Sequence, residues 1–104
     1  MSWHASGHAP PDDPQRPIPI AATVDGRALL LVPVDGSWHA IEDRCSHAGC
    51  EFSTDGTVEG PHVICECHGS EFDVRTGEVL RPPAQVPIAV FPARVAEGVI
   101  EVEW

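Results

Sequence analysis

The apolar residues of this chain fall into short runs that are separated by turn signals. Over residues 18–24 every second side chain is apolar, which is the period of a half-buried strand. An Asp-Gly pair at 25–26 then predicts a tight turn into residues 28–34, an aliphatic run typical of a buried strand. Pro33 lies inside that run and indicates an edge or a bulge. A second Asp-Gly pair leads into a strand over residues 37–42.

Further short runs continue on both sides of this region. They predict strands at residues 3–6, 57–59, 62–64, 72–74, 78–80, 86–90, 93–96 and 99–102, and a loop at 10–17. The 11 prolines and 9 glycines leave little room for long helices. At 104 residues the chain has the length of one small domain. The pattern therefore predicts an all-β domain of short antiparallel strands.

The charge is strongly acidic, with 16 Asp and Glu residues, six arginines and no lysine, giving a formal net charge of −10. Phosphate binding requires a basic surface, so no nucleic-acid partner is expected. Nine of the acidic residues lie between Glu42 and Glu78. The pattern alone leaves open whether they guide docking or are an ordinary solvated surface.

The chain also lacks the signals of export or of a membrane anchor. Its first twenty residues contain no apolar signal core and no twin arginine, and no run of about twenty apolar residues occurs anywhere. We therefore expect a cytoplasmic protein without a membrane anchor.

The chemistry is concentrated in two short segments, CSHAGC at 45–50 and CECHGS at 65–70. They hold all four cysteines and two of the six histidines, with seventeen residues between His47 and Cys65. In each segment a thiol and an imidazole lie two or three positions apart, so both side chains can reach one inorganic centre. Two such loops facing each other would bind a metal site from both sides. We interpret His4, His8, His39 and His62 as histidines without a metal role.

Two other kinds of site use the same residue types. Zinc is held by two cysteines and two histidines in zinc fingers, but those pair two cysteines first and two histidines second. Here each loop would supply one cysteine ligand and one histidine ligand. A Cys-His nucleophile is the other possibility, but that role does not need the pair to be repeated on two loops.

The pattern Cys-x-His, seventeen residues, Cys-x-x-His resembles the Rieske iron-sulfur family. In a Rieske centre two histidines replace two cysteines on one iron of a [2Fe-2S] cluster. The resemblance implies that Cys45 and Cys65 hold one iron and that His47 and His68 hold the other. It implies a Rieske-like antiparallel β-sandwich or barrel, with a framework at about 1–43 and 81–104. A small cluster-binding β subdomain would be inserted at about 44–80.

The resemblance also assigns roles around the cluster. Ser70 would donate its hydroxyl to a cluster sulfur, Phe72 would replace the tyrosine of high-potential relatives, and the loop containing Pro82 would shield the cluster. Cys50 and Cys67 are interpreted as lying at matching places in the two loops. The high-potential branch joins these places by a disulfide, which we predict here although a reducing cytoplasm opposes it.

The function implied by the resemblance is electron transfer and not catalysis. Rieske oxygenases also need a mononuclear iron on a separate catalytic domain, for which no chain remains here. We therefore expect a Rieske ferredoxin that passes single electrons from a flavin reductase to an aromatic-ring dioxygenase. The alternative is a small Rieske subunit bound permanently to a larger redox enzyme, such as a nitrite or arsenite oxidoreductase.

Overall fold

The computed structural model of the protein describes residues 2–11 and 18–104, which form antiparallel sheets and one helical turn. In chain order the elements are β1 (Trp3–Ala5), β2 (Ile20–Val24), β3 (Arg27–Val34), β4 (Ser37–Glu42), α1 (Phe52–Asp55), β5 (Gly56–Glu59), β6 (His62–Cys65), β7 (Glu71–Asp73), β8 (Val79–Arg81), β9 (Val90–Ala96) and β10 (Val99–Glu103). The all-β prediction is confirmed. Most of the loop predicted at 10–17 lies outside the described residues.

A six-stranded sheet, in the order β1-β10-β9-β4-β3-β2, forms the framework. Both Asp-Gly pairs make the predicted hairpin turns. Asp25 and Gly26 have φ angles of 49° and 80°, and Asp35 and Gly36 repeat them at 49° and 82°. Two successive positive φ angles match the twist of the flanking strands, which is why such pairs favour two-residue hairpins.

A four-stranded sheet, in the order β5-β6-β7-β8, lies between β4 and β9 in the sequence. β4 and β9 are themselves hydrogen-bonded neighbours in the framework, with Ile41 opposite Val90. The chain therefore leaves the framework after β4, builds the small sheet and returns to pair beside the strand that it left. This arrangement fixes both ends of the segment that contains the cysteines.

The position of β3 between two apolar cores explains why residues 29–34 are almost continuously apolar. Leu30 and Val32 belong to a core shared with the cysteine-bearing segment, including Phe72. Leu29 and Leu31 belong to a second core on the other face, shared with Ile100 of β10 and its neighbours. Because both faces are covered, the strand cannot show polar alternation. Pairing with β2 ends at Leu31, so the missing amide hydrogen of the following Pro33 removes no bond on that side.

Two predictions differ from the structure. The strands expected at 86–90 and 93–96 are one strand, β9, and residues 86–89 form a loop instead. This loop is held where the Ile88 amide donates to the Gly77 carbonyl at 3.0 Å. Gly77 has a φ of +82°, and a Cβ atom there would lie 2.2 Å from the Ile88 oxygen.

The helical turn α1 was not predicted from the sequence. The Ser53 amide in this turn donates to the buried Asp43 carboxylate at 2.8 Å.

The two ends of the described chain meet at one edge of the framework. The Trp104 ring stacks on His4 with centroids 4.2 Å apart, and the guanidinium carbon of Arg27 lies 5.0 Å from the Trp104 ring centre. His4 Nδ1 also lies 2.7 Å from a carboxylate oxygen of Asp25. His4 therefore packs against the C-terminal residue and is not a free surface histidine.

Candidate metal centre

The two cysteine loops have the same backbone hydrogen bonds. In the first, the Cys45 amide donates to the carbonyl five residues later at 2.8 Å, and the Gly49 amide donates back to Cys45 at 2.9 Å. In the second, the Cys65 amide and the Gly69 amide repeat these bonds at 2.7 and 2.8 Å. Both glycines have positive φ angles, 77° and 84°, which other residues rarely adopt. The loops are therefore two copies of one backbone design.

Cys45 and Cys65 are free thiols at the base of these loops, only 2% and 1% exposed. Burial raises the pKa of the Cys65 thiol, while the amide of Cys67 lowers it and the adjacent Cys45 thiol raises it. Deprotonating two adjacent buried sulfurs is costly unless a cation neutralises them. The pair is therefore suited to a metal and unsuited to carrying free thiolates.

His47 and His68 lie at the exposed tips of the same loops. Their ring centroids are 4.8 Å apart, with the rings nearly perpendicular at 83°. Nothing in the sequence spacing requires the two rings to approach each other across the twenty residues between them. The fold therefore brings two imidazoles together at the exposed tips, while the two free thiols lie buried at the base of the same loops.

The remaining cysteines form the predicted disulfide, Cys50–Cys67, which joins the two loops. The sulfurs of Cys50, Cys65 and Cys67 all lie within 4.8 Å of one another. Since two of them are bonded to each other, only Cys65 in this group remains available to a metal. The interpretation that Cys50 and Cys67 lie at matching places is wrong. The repeated hydrogen bonds align Cys50 with Ser70, and Cys67 with His47.

Ser70 and the loop at 81–84 lie beside the buried thiols. Ser70 is completely buried, and its hydroxyl oxygen accepts the Ala84 amide at 3.0 Å. Pro82 and Pro83 are exposed on the outside of this loop. Phe72 is also fully buried and packs edge to face on Phe52 at 5.7 Å. The surroundings of the thiols are thus dry and closely packed.

Sequence reasoning missed the contacts of the acidic residues beside the centre. Glu66 accepts the Thr57 hydroxyl at 2.7 Å, so it is held against β5. The Glu71 carboxylate lies between His62, at 2.8 Å, and Arg81, at 3.7 Å. The pairing of β5 with β6 positions Glu66, and the pairing of β6, β7 and β8 positions Glu71. Only the register of the strands could have revealed these contacts.

Two thiols and two imidazoles are the donor set of a Rieske [2Fe-2S] cluster. The burial of the donors also fits such a cluster, because the sulfurs that would be charged are buried and the neutral imidazole rings are exposed. The Rieske [2Fe-2S] domain family matches residues 6–92 of the chain. The chain belongs to this family. Its cofactor is accordingly a Rieske-type [2Fe-2S] cluster.

Several known proteins resemble this Rieske domain in sequence. The ferredoxin component of the p-cumate 2,3-dioxygenase system of Pseudomonas putida is 37% identical over 78 residues, which cover 75% of this chain and 66% of the relative. The biphenyl dioxygenase ferredoxin subunit of Pseudomonas sp. (strain KKS102) is 37% identical over 71 residues, which cover 68% and 65%. The chain thus spans just under two thirds of the length of these curated relatives.

Solved structures resemble the fold equally well. The ferredoxin of carbazole 1,9a-dioxygenase from Nocardioides aromaticivorans IC177 has a TM-score of 0.76 at 31% identity, covering 82% of this chain and 83% of that one. A chain from a complex of reduced oxygenase and oxidized ferredoxin in carbazole 1,9a-dioxygenase has a TM-score of 0.82 at 31% identity, covering 96% and 91%. No helix in the described part of the Rieske domain has the length and apolar character that a membrane crossing requires.

Proposed function

We propose that this Rieske domain is a one-electron carrier in which Cys45 and Cys65 hold the inner iron and His47 and His68 hold the outer iron. The observation that carries the proposal is the layering of the site. Two buried free thiols lie at the base of paired loops whose exposed tips bring two imidazole rings to 4.8 Å. The cluster, when bound, supplies reversible uptake and release of a single electron.

The residues of the chain hold the site together and set where electrons would enter and leave it. The buried thiols fix the inner side of the site within the apolar core, and the Cys50–Cys67 disulfide keeps the two loops together. His47 and His68 are exposed, so electrons would enter and leave at the histidine tip. The Ser70 hydroxyl and the loop that contains Pro82 would adjust the polarity and solvent access of the centre.

The proposed partners are a flavin-dependent reductase as donor and a terminal oxygenase as acceptor, both in the cytoplasm. Similar sequences named as ferredoxin components of dioxygenase systems support this proposal. So does the resemblance to a chain from a complex of ferredoxin and oxygenase. The Rieske domain would then carry electrons without catalysing a reaction of its own.

Anaerobic stopped-flow experiments test the carrier role with the iron-loaded protein. A flavin-dependent ferredoxin reductase with NADH should reduce it, and an oxidised terminal oxygenase from a biphenyl dioxygenase system should reoxidise it over repeated turnovers. Cys45→Ser should abolish both steps, because it removes a proposed ligand. His39→Gln, a change in the framework, is the matched control and should leave both rates intact. Stoichiometric copurification with a large redox subunit would instead support the permanently bound alternative.

A further inference from the structure

The proline loop at 81–84 is held at both ends by two consecutive residues. At its far end the Ala84 amide donates to the buried Ser70 hydroxyl oxygen at 3.0 Å. At its near end the Arg81 guanidinium lies 3.7 Å from a carboxylate oxygen of Glu71. Ser70 and Glu71 directly follow the second cysteine loop, so that loop and the proline loop are tied to each other.

Glu71 is itself held in a fixed position. Its side chain is only 14% exposed, and its second carboxylate oxygen lies 2.8 Å from His62 Nδ1. His62, Glu71 and Arg81 lie on the paired strands β6, β7 and β8, respectively. The β7–β8 register shifts between Glu71 and Phe72, so the backbone ladder is irregular where the proline loop begins. The side-chain contacts reinforce the loop at the point where regular pairing is interrupted.

Two small contacts can control this loop because the loop is short and stiff. Two adjacent prolines restrict its backbone, so it opens as one piece and does not deform gradually. Segments with few contacts open locally at a low free-energy cost. Ala84 packs in the same apolar core as Cys45 and Cys65, so the two end contacts oppose opening of the segment beside the thiols, together with the Ser46 hydroxyl that donates to the Val86 carbonyl at 2.7 Å.

We propose that Ser70 and Glu71 are positioning residues that clamp the proline loop over the metal centre, with His62 orienting Glu71. This inference rests on the proposed ligand set, because the loop protects a cluster only if Cys45 and Cys65 hold it. The clamp limits the access of water and small reagents to the centre and therefore sets how long the centre survives.

The test is the rate at which iron is lost from the loaded protein to an excess of the chelator bathophenanthroline disulfonate. Glu71→Gln keeps a hydrogen-bond partner for His62 but loses the attraction to Arg81. It should raise the rate about two- to fivefold, the size expected for one partly exposed charged contact. Arg81→Gln should give the same increase. The double variant should be no faster than either single one, since all three remove the same interaction.

The hydrogen bond from the Ala84 amide to the Ser70 hydroxyl is tested separately. Ser70→Ala should also accelerate iron loss, while Ser70→Thr should restore the parental rate because it keeps the hydroxyl. Arg94→Gln is the matched control, since it breaks the framework ion pair to Glu101 at 2.8 Å. It should leave the rate unchanged. Urea unfolding of each variant separates opening of the loop from loss of global stability.

The outcomes that overturn the clamp are distinct. Parental rates in Glu71→Gln and Arg81→Gln would refute it, as would additive effects in the double variant or an equal effect of Arg94→Gln. Arg81 is 65% exposed, so its substitution leaves the fold intact and keeps the test decisive. A parent protein that takes up no [2Fe-2S] cluster would overturn the proposed function and the clamp together. A loaded parent with unresponsive variants overturns the clamp alone.

Discussion

The Ser70 hydroxyl has one hydrogen bond that is already defined by the fold. Its oxygen accepts the Ala84 amide, which leaves the hydroxyl proton free to donate to a cluster sulfur. Such bonds favour the more negative, reduced state. Ser70→Ala should therefore lower the reduction potential by about 50–100 mV, the equivalent of one hydrogen bond to a charged group. Protein-film voltammetry measures the shift, and an unchanged potential would refute the role of the hydroxyl.

Asp73 gives a second prediction at the residue scale. Its carboxylate receives the Arg75 amide at 2.8 Å and the Arg75 guanidinium at 2.9 and 3.1 Å. The Arg75 side chain lowers the pKa of Asp73, and Asp73 raises the pKa of Arg75. Because the pKa of Asp73 is lower in the folded state, the pair stabilises the protein above the unfolded pKa of about 3.9. That stability is lost as the pH falls through the lower, folded pKa.

Arg75→Gln should accordingly lower the unfolding free energy at pH 7 by a small amount, since the guanidinium is half exposed and screened by solvent. The difference from the parent should shrink as the pH falls through the folded pKa of Asp73. Urea unfolding of the parent and of Arg75→Gln at stepwise lower pH checks this. A difference that stays constant with pH would show that the arginine acts only through packing.

Individual residues differed in how far the sequence could predict them. The Cys50–Cys67 disulfide could be predicted because the cysteine segments resemble a known pattern. Glu71 could not, because its contacts depend on the register of β6, β7 and β8. The same register explains why Glu71, one of the nine acidic residues between Glu42 and Glu78, is mostly buried and already paired.

The cross-loop disulfide is the prediction at the scale of elements. Cys50–Cys67 closes a loop with a sequence separation of 17, for which the chain-entropy account gives about 3 kcal/mol. The proposed cluster would tie the same two loops, so Cys50→Ser with Cys67→Ser should cost less than that in the loaded protein. The cost should be larger after iron is removed by chelation. Urea unfolding of both forms measures this, and equal costs would show that disulfide and cluster act independently.

At the same scale, hydrophobic period and turn residues predicted most strands, because the Asp-Gly turns have strong local preferences. The loop at 86–89 was misread as a strand. Its apolar Ile88 is buried by contact with the Gly77 turn and not by sheet pairing. The turn α1 was missed because the amide of its second residue, Ser53, donates to Asp43, which lies ten residues away. Local patterns cannot report such distant partners.

The charge of the whole molecule governs how it meets a partner. The net charge is −10, and a cluster core balanced by two thiolates leaves it near that value. Glu66 is an exposed acid in the second cysteine loop, and the exposed Glu51 directly follows the first. They should steer the histidine tip toward a basic patch, and raising the salt from 0.1 to 1 M, which shortens the Debye length from about 10 to 3 Å, should slow association.

The second-order rate of electron transfer to an oxygenase measures this steering across the salt range. Glu51→Gln with Glu66→Gln should be slower at low salt and less salt-dependent than the parent. Glu97→Gln, in the turn between β9 and β10, is the control and should behave like the parent. A rate independent of salt in every variant would show that recognition rests on the uncharged tip.

The central claim is that two thiols and two imidazoles hold one [2Fe-2S] cluster. Electron paramagnetic resonance of the anaerobically purified, dithionite-reduced protein, together with its visible spectrum and metal content, tests that claim most directly. We predict a coloured protein with two irons per chain and the low average g value associated with mixed histidine and cysteine ligation. A colourless protein that holds one zinc ion would contradict the account.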